Sequence, residues 1–172
     1  MEVKRMKQQI NKIMACVDLS TYSSLVLDYA FDVLKDTKAQ VLIFNVINSR
    51  DIAGARKFFD HYPGAYSGAS SMMMNTGDYI QALKKERQAN LQDMIREYTG
   101  EDQSMMEIKI ASGIPYECIL QAIETEGIDL VVMANKGRGN ISRMLFGSAA
   151  EKVFQNSPVP VISVREKSTF KT

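Results

Sequence analysis

An open parallel sheet of five strands, covered by helices on both faces, is the fold class that the sequence predicts. Two observations carry this expectation: five short apolar runs, and the amphipathic or helix-starting stretches that separate them. Strands that alternate with helices need crossover connections, which set parallel strands side by side and lay helices over both faces of the sheet.

Residues 12–17 form the first run, short and apolar, and it stops abruptly at Asp18-Leu19-Ser20-Thr21. That pattern suits a buried strand followed by a helix start. From Ser20 to Lys35, Tyr22, Val26, Tyr29, Ala30, Val33 and Leu34 recur at three- and four-residue steps, one face of an amphipathic helix. Residues 40–47 are the second strand. Residues 50–78 show no clear period, are rich in Gly, Ser and Met, and carry Pro63-Gly64 as a turn signal, so this stretch reads as a mobile insertion.

Helical spacing returns at Tyr79 through Ile80, Leu83, Leu91, Met94, Ile95 and Tyr98, with Gly100 as a terminator. Residues 106–111 form a weaker strand. Pro115 stands near the start of the next helix, where a missing N–H costs nothing, and this helix runs to about Glu126. Residues 129–134 are an uninterrupted apolar strand, 147–156 a last helix, and 159–164 a last strand. The chain is thus expected to comprise a tail over 1–11, one domain over 12–165 with the insertion at 50–78, and a frayed tail over 166–172.

Composition narrows the function classes. The chain has 172 residues, 45% of them hydrophobic, enough for one core without disulfides or metals. Lys and Arg number 21 against 20 Asp and Glu, so a net charge of +1 offers no broad field for nucleic acid or an anionic membrane. Cys16 and Cys118 form no CxxC pair, and with His61 as the single histidine a zinc site is not expected. The first eleven residues lack the apolar run of a signal peptide, and no stretch has the length of a transmembrane helix. A soluble, cytoplasmic protein is the expectation.

In an open parallel sheet, ligands bind beyond the carboxyl ends of the strands where the winding switches, which points to Asp18, Asn48 and the loop from Asn135. That loop, residues 135–148, carries Gly137, Gly139 and Gly147 and ends on a helix start. Glycines let backbone N–H groups approach a phosphate, and the open N–H groups of a helix start favour an anion. Lys136 and Arg138 would add full charges. Structural readings compete at each point. Ser148-Ala149-Ala150-Glu151 fits the S-x-x-E capping box, in which each side chain satisfies the other residue's N–H. Asp18 could equally cap the helix after the first strand. Val46 and Met133 are core residues by pattern alone.

A set of motifs resembles the universal stress protein family: Val17-Asp18-Leu19-Ser20, Gly113-Ile114-Pro115, Asp129 to Met133, Gly137-Arg138-Gly139, Gly147 to Val153, and Ser157 to Val161. The likeness spans about residues 10 to 165 except the insertion. It implies an adenine-nucleotide α-hydrolase-like fold with strand order 3-2-1-4-5. Nucleotide-binding members are marked by a glycine, two residues, a second glycine, nine residues, then Gly-Ser or Gly-Thr. Gly137 and Gly147-Ser148 keep the later elements at that spacing, but Ala134 replaces the first glycine. One added methyl is expected to weaken nucleotide binding rather than abolish it.

The resemblance further implies that Asp18 and Val46 lie by the adenine and ribose and that Met133 and Ala134 line the floor. Gly137, Gly147, Ser148 and the backbone of Ala149 would hold the phosphates, with Lys136 in reach. The expected ligand is ATP or another adenine nucleotide, optionally with magnesium.

Other nucleotide folds do not fit. No segment has the P-loop pattern, and the glycines of a Rossmann domain would follow the first strand, where Asp18-Leu19-Ser20-Thr21 stands. A receiver domain would need an acidic residue after the third strand, where Ser112-Gly113 stands, and no G-x-S-x-G elbow occurs. No acid–base constellation is visible, so the chain does not read as an enzyme, and the resemblance leaves room only for slow ATP hydrolysis or phosphate transfer to Ser148. Val159, Val161, Ile162 and Val164 would form an apolar sheet edge, hazardous unless another chain covers it. A homodimer through the last strand, Val159 to Val164, is therefore expected; a nucleotide-free dimerising module is the alternative function.

Overall fold

The computed structural model of the chain describes residues 9–35, 37–61, 76–98, 103–136 and 147–165. Five parallel strands form one sheet: β1 (Lys12–Cys16), β2 (Gln40–Asn48), β3 (Met106–Gly113), β4 (Leu130–Ala134) and β5 (Val161–Val164). Their order is β3-β2-β1-β4-β5, as the resemblance implied. The helices are α1 (Ser23–Lys35), α2 (Ser49–His61), α3 (Thr76–Arg96), α4 (Pro115–Thr125) and α5 (Ser148–Asn156).

Strand pleating sorts alternate residues onto the two faces. Ile13, Ala15 and Val17 join Val41, Ile43, Val132 and Val164 under α1 and α3, which contribute Leu27, Phe31, Leu91 and Ile95. On the other face Met14, Leu42, Phe44, Val131 and Met133 pack against Ile119 and Ile123 of α4 and Ala150 and Val153 of α5. The central strands are covered on both sides, which is why β4 is apolar throughout and β1 is apolar after Lys12. β3 lies at an edge and alternates instead, with Met106, Ile108 and Ile110 packed toward the core and Glu107 and Lys109 outside it.

Two local expectations fail. Residues 50–61 of the expected insertion belong to the helix Ser49–His61. Its apolar residues are sparse and Gly54 interrupts it, so periodicity missed it, but its start signal was legible: Asn48 Oδ1 accepts from the Arg50 N–H at 3.0 Å, an N-cap, and Asp51 sits in the first turn. The remainder of the insertion up to residue 75, with Met72, Met73 and Met74, lies outside the described residues. The last strand starts at Val161 rather than Val159, because Pro158 and Pro160 donate no ladder bond; Pro160 only accepts, from the Val131 N–H at 3.0 Å.

Candidate functional site

Strand register assembles the carboxyl ends of β2, β1 and β4. Cys16 lies directly between Phe44 and Met133, so Val46, Asp18 and Ala134 stand one or two residues further along three adjacent strands spaced about 4.8 Å apart. Val46, Cys16 and Met133 all face the α4/α5 side. Burial pushes the Cys16 thiol up to about 12, so it stays neutral and adds an apolar wall between the other two. Ala134 faces the other way: its methyl packs against the apolar cluster under α1.

Asp18 ends β1 in a tight turn. Its Oδ1 accepts from the Ser20 N–H at 3.0 Å and from the Ser23 hydroxyl at 3.5 Å, and Leu19 takes a positive φ of 61°. A non-glycine residue in the left-handed region costs about 1–2 kcal/mol, and such strain gathers where a chain must turn sharply beside a ligand or a catalytic group. Because α1 begins only at Ser23, Asp18 is not its N-cap; it closes the turn that leads into the helix.

The loop after β4 is pinned at both ends. Asn135 N–H donates to Val164 O at 3.1 Å, and Gly147 N–H donates to Asn135 O at 2.8 Å, so the start of α5 is held against the end of β4. Gly137, Gly139 and Arg138 lie outside the described residues, whereas Lys136, half-buried, ends the described part of the loop. The capping box at Ser148 is not formed. Gly147 is the N-cap (φ −63°, ψ 142°) with no side-chain cap bond, Ser148 is already the first helical residue, and Glu151 N–H bonds Gly147 O. A glycine cannot cap with a side chain, so no N-cap side chain covers the first-turn N–H groups of α5, whose first turn carries Glu151 as its acidic residue. Ser148 is exposed there, and Ala149 is half-buried beside it. Because Ala150 and Val153 pack into the α4/α5 face, this open helix end lies on the same face as Val46, Cys16 and Met133.

Sequence reasoning missed two residues next to this row. Asn45 is fully buried and Arg87, from α3, is 6% exposed. Arg87 Nη1 donates to Asn45 Oδ1 at 2.7 Å and to Val46 O at 3.1 Å, while Asn45 Nδ2 donates to Val17 O at 2.7 Å. Both were detectable: Asn45 is the one polar residue inside the run from Val41 to Ile47, and Arg87 stands on the apolar stripe between Leu83 and Leu91. A groove of about 400 Å³ between α3 and β3, lined by Gln88, Gln92, Ile95, Arg96, Met106 and Ile108, lies toward the amino end of β3, away from these strand ends. Among the described residues no cluster of three or more His, Cys, Asp or Glu is placed to hold a metal, and no helix is long and apolar enough to cross a membrane.

Similarity to known proteins follows the same outline. The chain is 28% identical over 166 residues to the universal stress protein MJ0577 of Methanocaldococcus jannaschii, covering 95% of this chain and 100% of that one. It is 25% identical over 160 residues to the universal stress protein YxiE of Bacillus subtilis, covering 90% and 99%. Its fold is that of the solved MJ0577 structure (TM-score 0.72, 22% identity, 94% and 99% covered) and of UspA from Lactobacillus plantarum (TM-score 0.63, 19% identity, 91% and 99% covered). A universal stress protein solved in complex with cAMP shares the fold with a TM-score of 0.55 at 18% identity, with 91% and 97% covered. The model of the universal stress protein family matches residues 9–165, and the chain belongs to that family.

Proposed function

We propose that this protein binds ATP or another adenine nucleotide at the carboxyl ends of β1, β2 and β4, and acts in the cytoplasm as a regulatory homodimer of the stress response. The observation that carries the reading is the uncapped start of α5, pinned to the end of β4 on the face that presents Val46, Cys16 and Met133. Apolar side chains suit the flat base, and open helical N–H groups suit the phosphates. Asp18 would lie by the ribose, Lys136, Gly137, Gly147, Ser148 and Ala149 by the phosphates, and Met133 and Ala134 beneath. The Ala134 methyl has a berth in the core under α1, which supports retained binding despite the missing glycine. The cAMP complex of a family member with this fold supports a nucleotide as the ligand class. Magnesium would accompany the phosphates of ATP. The activity proposed is binding; hydrolysis or phosphate transfer to Ser148 would be slow beside it.

Titration of the purified chain with ATP and magnesium by calorimetry, repeated with cAMP, tests this. Saturable binding that disappears in Gly137→Val, whose side chain fills the loop, is the expected result. A folded native chain that binds neither nucleotide would overturn the reading and leave the nucleotide-free dimerising module.

The dimer rests on β5. Among the described residues it pairs with β4 alone and no strand covers its outer edge, and Val161 and Ile162 are half-buried in the single chain. Pairing the segment from Val159 to Val164 with its copy about a twofold axis would cover that edge. Light scattering at low micromolar concentration should report twice 19.3 kDa, and a monomer would refute this part.

A further inference from the structure

A parallel strand turns the N–H and C=O of alternate residues toward the same neighbour. Val17 N–H donates to Phe44 O at 3.0 Å, so Phe44 and, two residues on, Val46 present their peptide edges to the β1 side. β1 ends at Cys16, and the Val46 edge therefore passes beyond it to the Asp18 turn. Arg87 holds that edge from the α1/α3 side, donating to Val46 O and to Asn45 Oδ1, while Asn45 ties the same assembly to Val17 O. Burying a guanidinium is costly even when it is well bonded, and an apolar side chain would fill the space more cheaply. What the arginine supplies that an apolar residue cannot is direction.

We propose that Arg87, acting through Asn45 and the Val46 carbonyl, is a positioning residue for base selection: it fixes the peptide edge that reads the base of the bound nucleotide. The inference rests on the nucleotide reading above. A fixed edge offers one acceptor and one donor. The amino group and adjacent ring nitrogen of adenine complement them, whereas the oxygen and ring N–H of guanine set acceptor against acceptor and donor against donor. Val46 O has two lone pairs, so the Arg87 bond leaves one for the base. Without the guanidinium the peptide can turn and meet either base.

Dissociation constants for ATP and for GTP, measured by calorimetry on the native chain, Arg87→Met and Arg87→Lys, test this. The native chain should prefer ATP. In Arg87→Met the preference should shrink about tenfold, roughly one lost hydrogen bond, and Arg87→Lys, with one cationic donor retained, should fall between. Both affinities dropping together with their ratio unchanged would make Arg87 a structural residue only and overturn the inference, as would a native chain with no preference. If Arg87→Met does not fold, Arg87→Lys carries the test, and an unchanged ratio there overturns the inference. Native binding with an unchanged ratio in the variants refutes this inference alone; a native chain that binds neither nucleotide refutes the nucleotide reading beneath it.

Discussion

Asn45→Leu should destabilise the fold by about 2–4 kcal/mol, the loss of a buried polar group that two others depend on. Leucine keeps the branching at Cγ but is bulkier than the amide, so a smaller overpacking cost adds to the loss of the hydrogen bonds. It removes the donor to Val17 O (2.7 Å) and the acceptor for Arg87 Nη1 (2.7 Å), leaving a buried carbonyl and a buried guanidinium short of partners. Thermal unfolding should shift down by roughly 5–15 °C for a chain of this size. The double variant Asn45→Leu with Arg87→Met should recover part of that loss, because with both partners apolar no buried guanidinium lacks the Asn45 acceptor. A double variant whose loss equals the sum of the two single losses would show that the pair is not coupled.

Ser148→Asp should act in opposite directions on stability and binding. Ser148 is the first residue of a helix whose N-cap is a glycine without a side-chain bond. A carboxylate in that first turn meets the positive end of the dipole, which stabilises the folded chain by about 0.3–1 kcal/mol. The same charge would stand where the proposed phosphates sit, and like charges about 4 Å apart in a partly buried site repel by several kcal/mol. ATP affinity should therefore fall by roughly a hundredfold or more while the melting temperature holds or rises. Ser148→Ala, which removes one hydroxyl and adds no charge, should cost about tenfold or less. Unchanged ATP affinity in Ser148→Asp would remove α5 from the binding site.

Ser148 was singled out from its glycine-flanked position, yet the same four residues spelled a capping box, and spacing alone could not choose between them. The choice depended on where the helix begins. With Gly147 bonded to Asn135 O, the helical register starts one residue earlier than the box requires, and Ser148 becomes the first helical position instead of the cap. Asp18 went the same way: α1 starts at Ser23, so the carboxylate closes a turn and caps no helix. Met133 and Val46 are apolar strand residues like their neighbours, and nothing in their identity distinguishes a pocket wall from core.

Element identity and order were legible because they depend on information within a dozen residues: apolar runs of strand length, a three-to-four-residue period, Pro115 at a helix start. The helix at Ser49 to His61 escaped because Gly54 and the polar residues around it blur its apolar period. Its Asn48 cap was the surviving local signal. The pairing of Asn45 with Arg87 spans 42 positions, and whether an arginine on an apolar stripe is tolerated depends on a partner that only chain crossing supplies. Local chemistry along the chain was thus enough for the strands, most helices and the parallel crossovers, while the strand order came with the family resemblance of the motifs. Which residues meet at the strand ends, and which hydrogen bonds hold them, belonged to tertiary structure, since register and helix packing bring together groups that no sequence period relates.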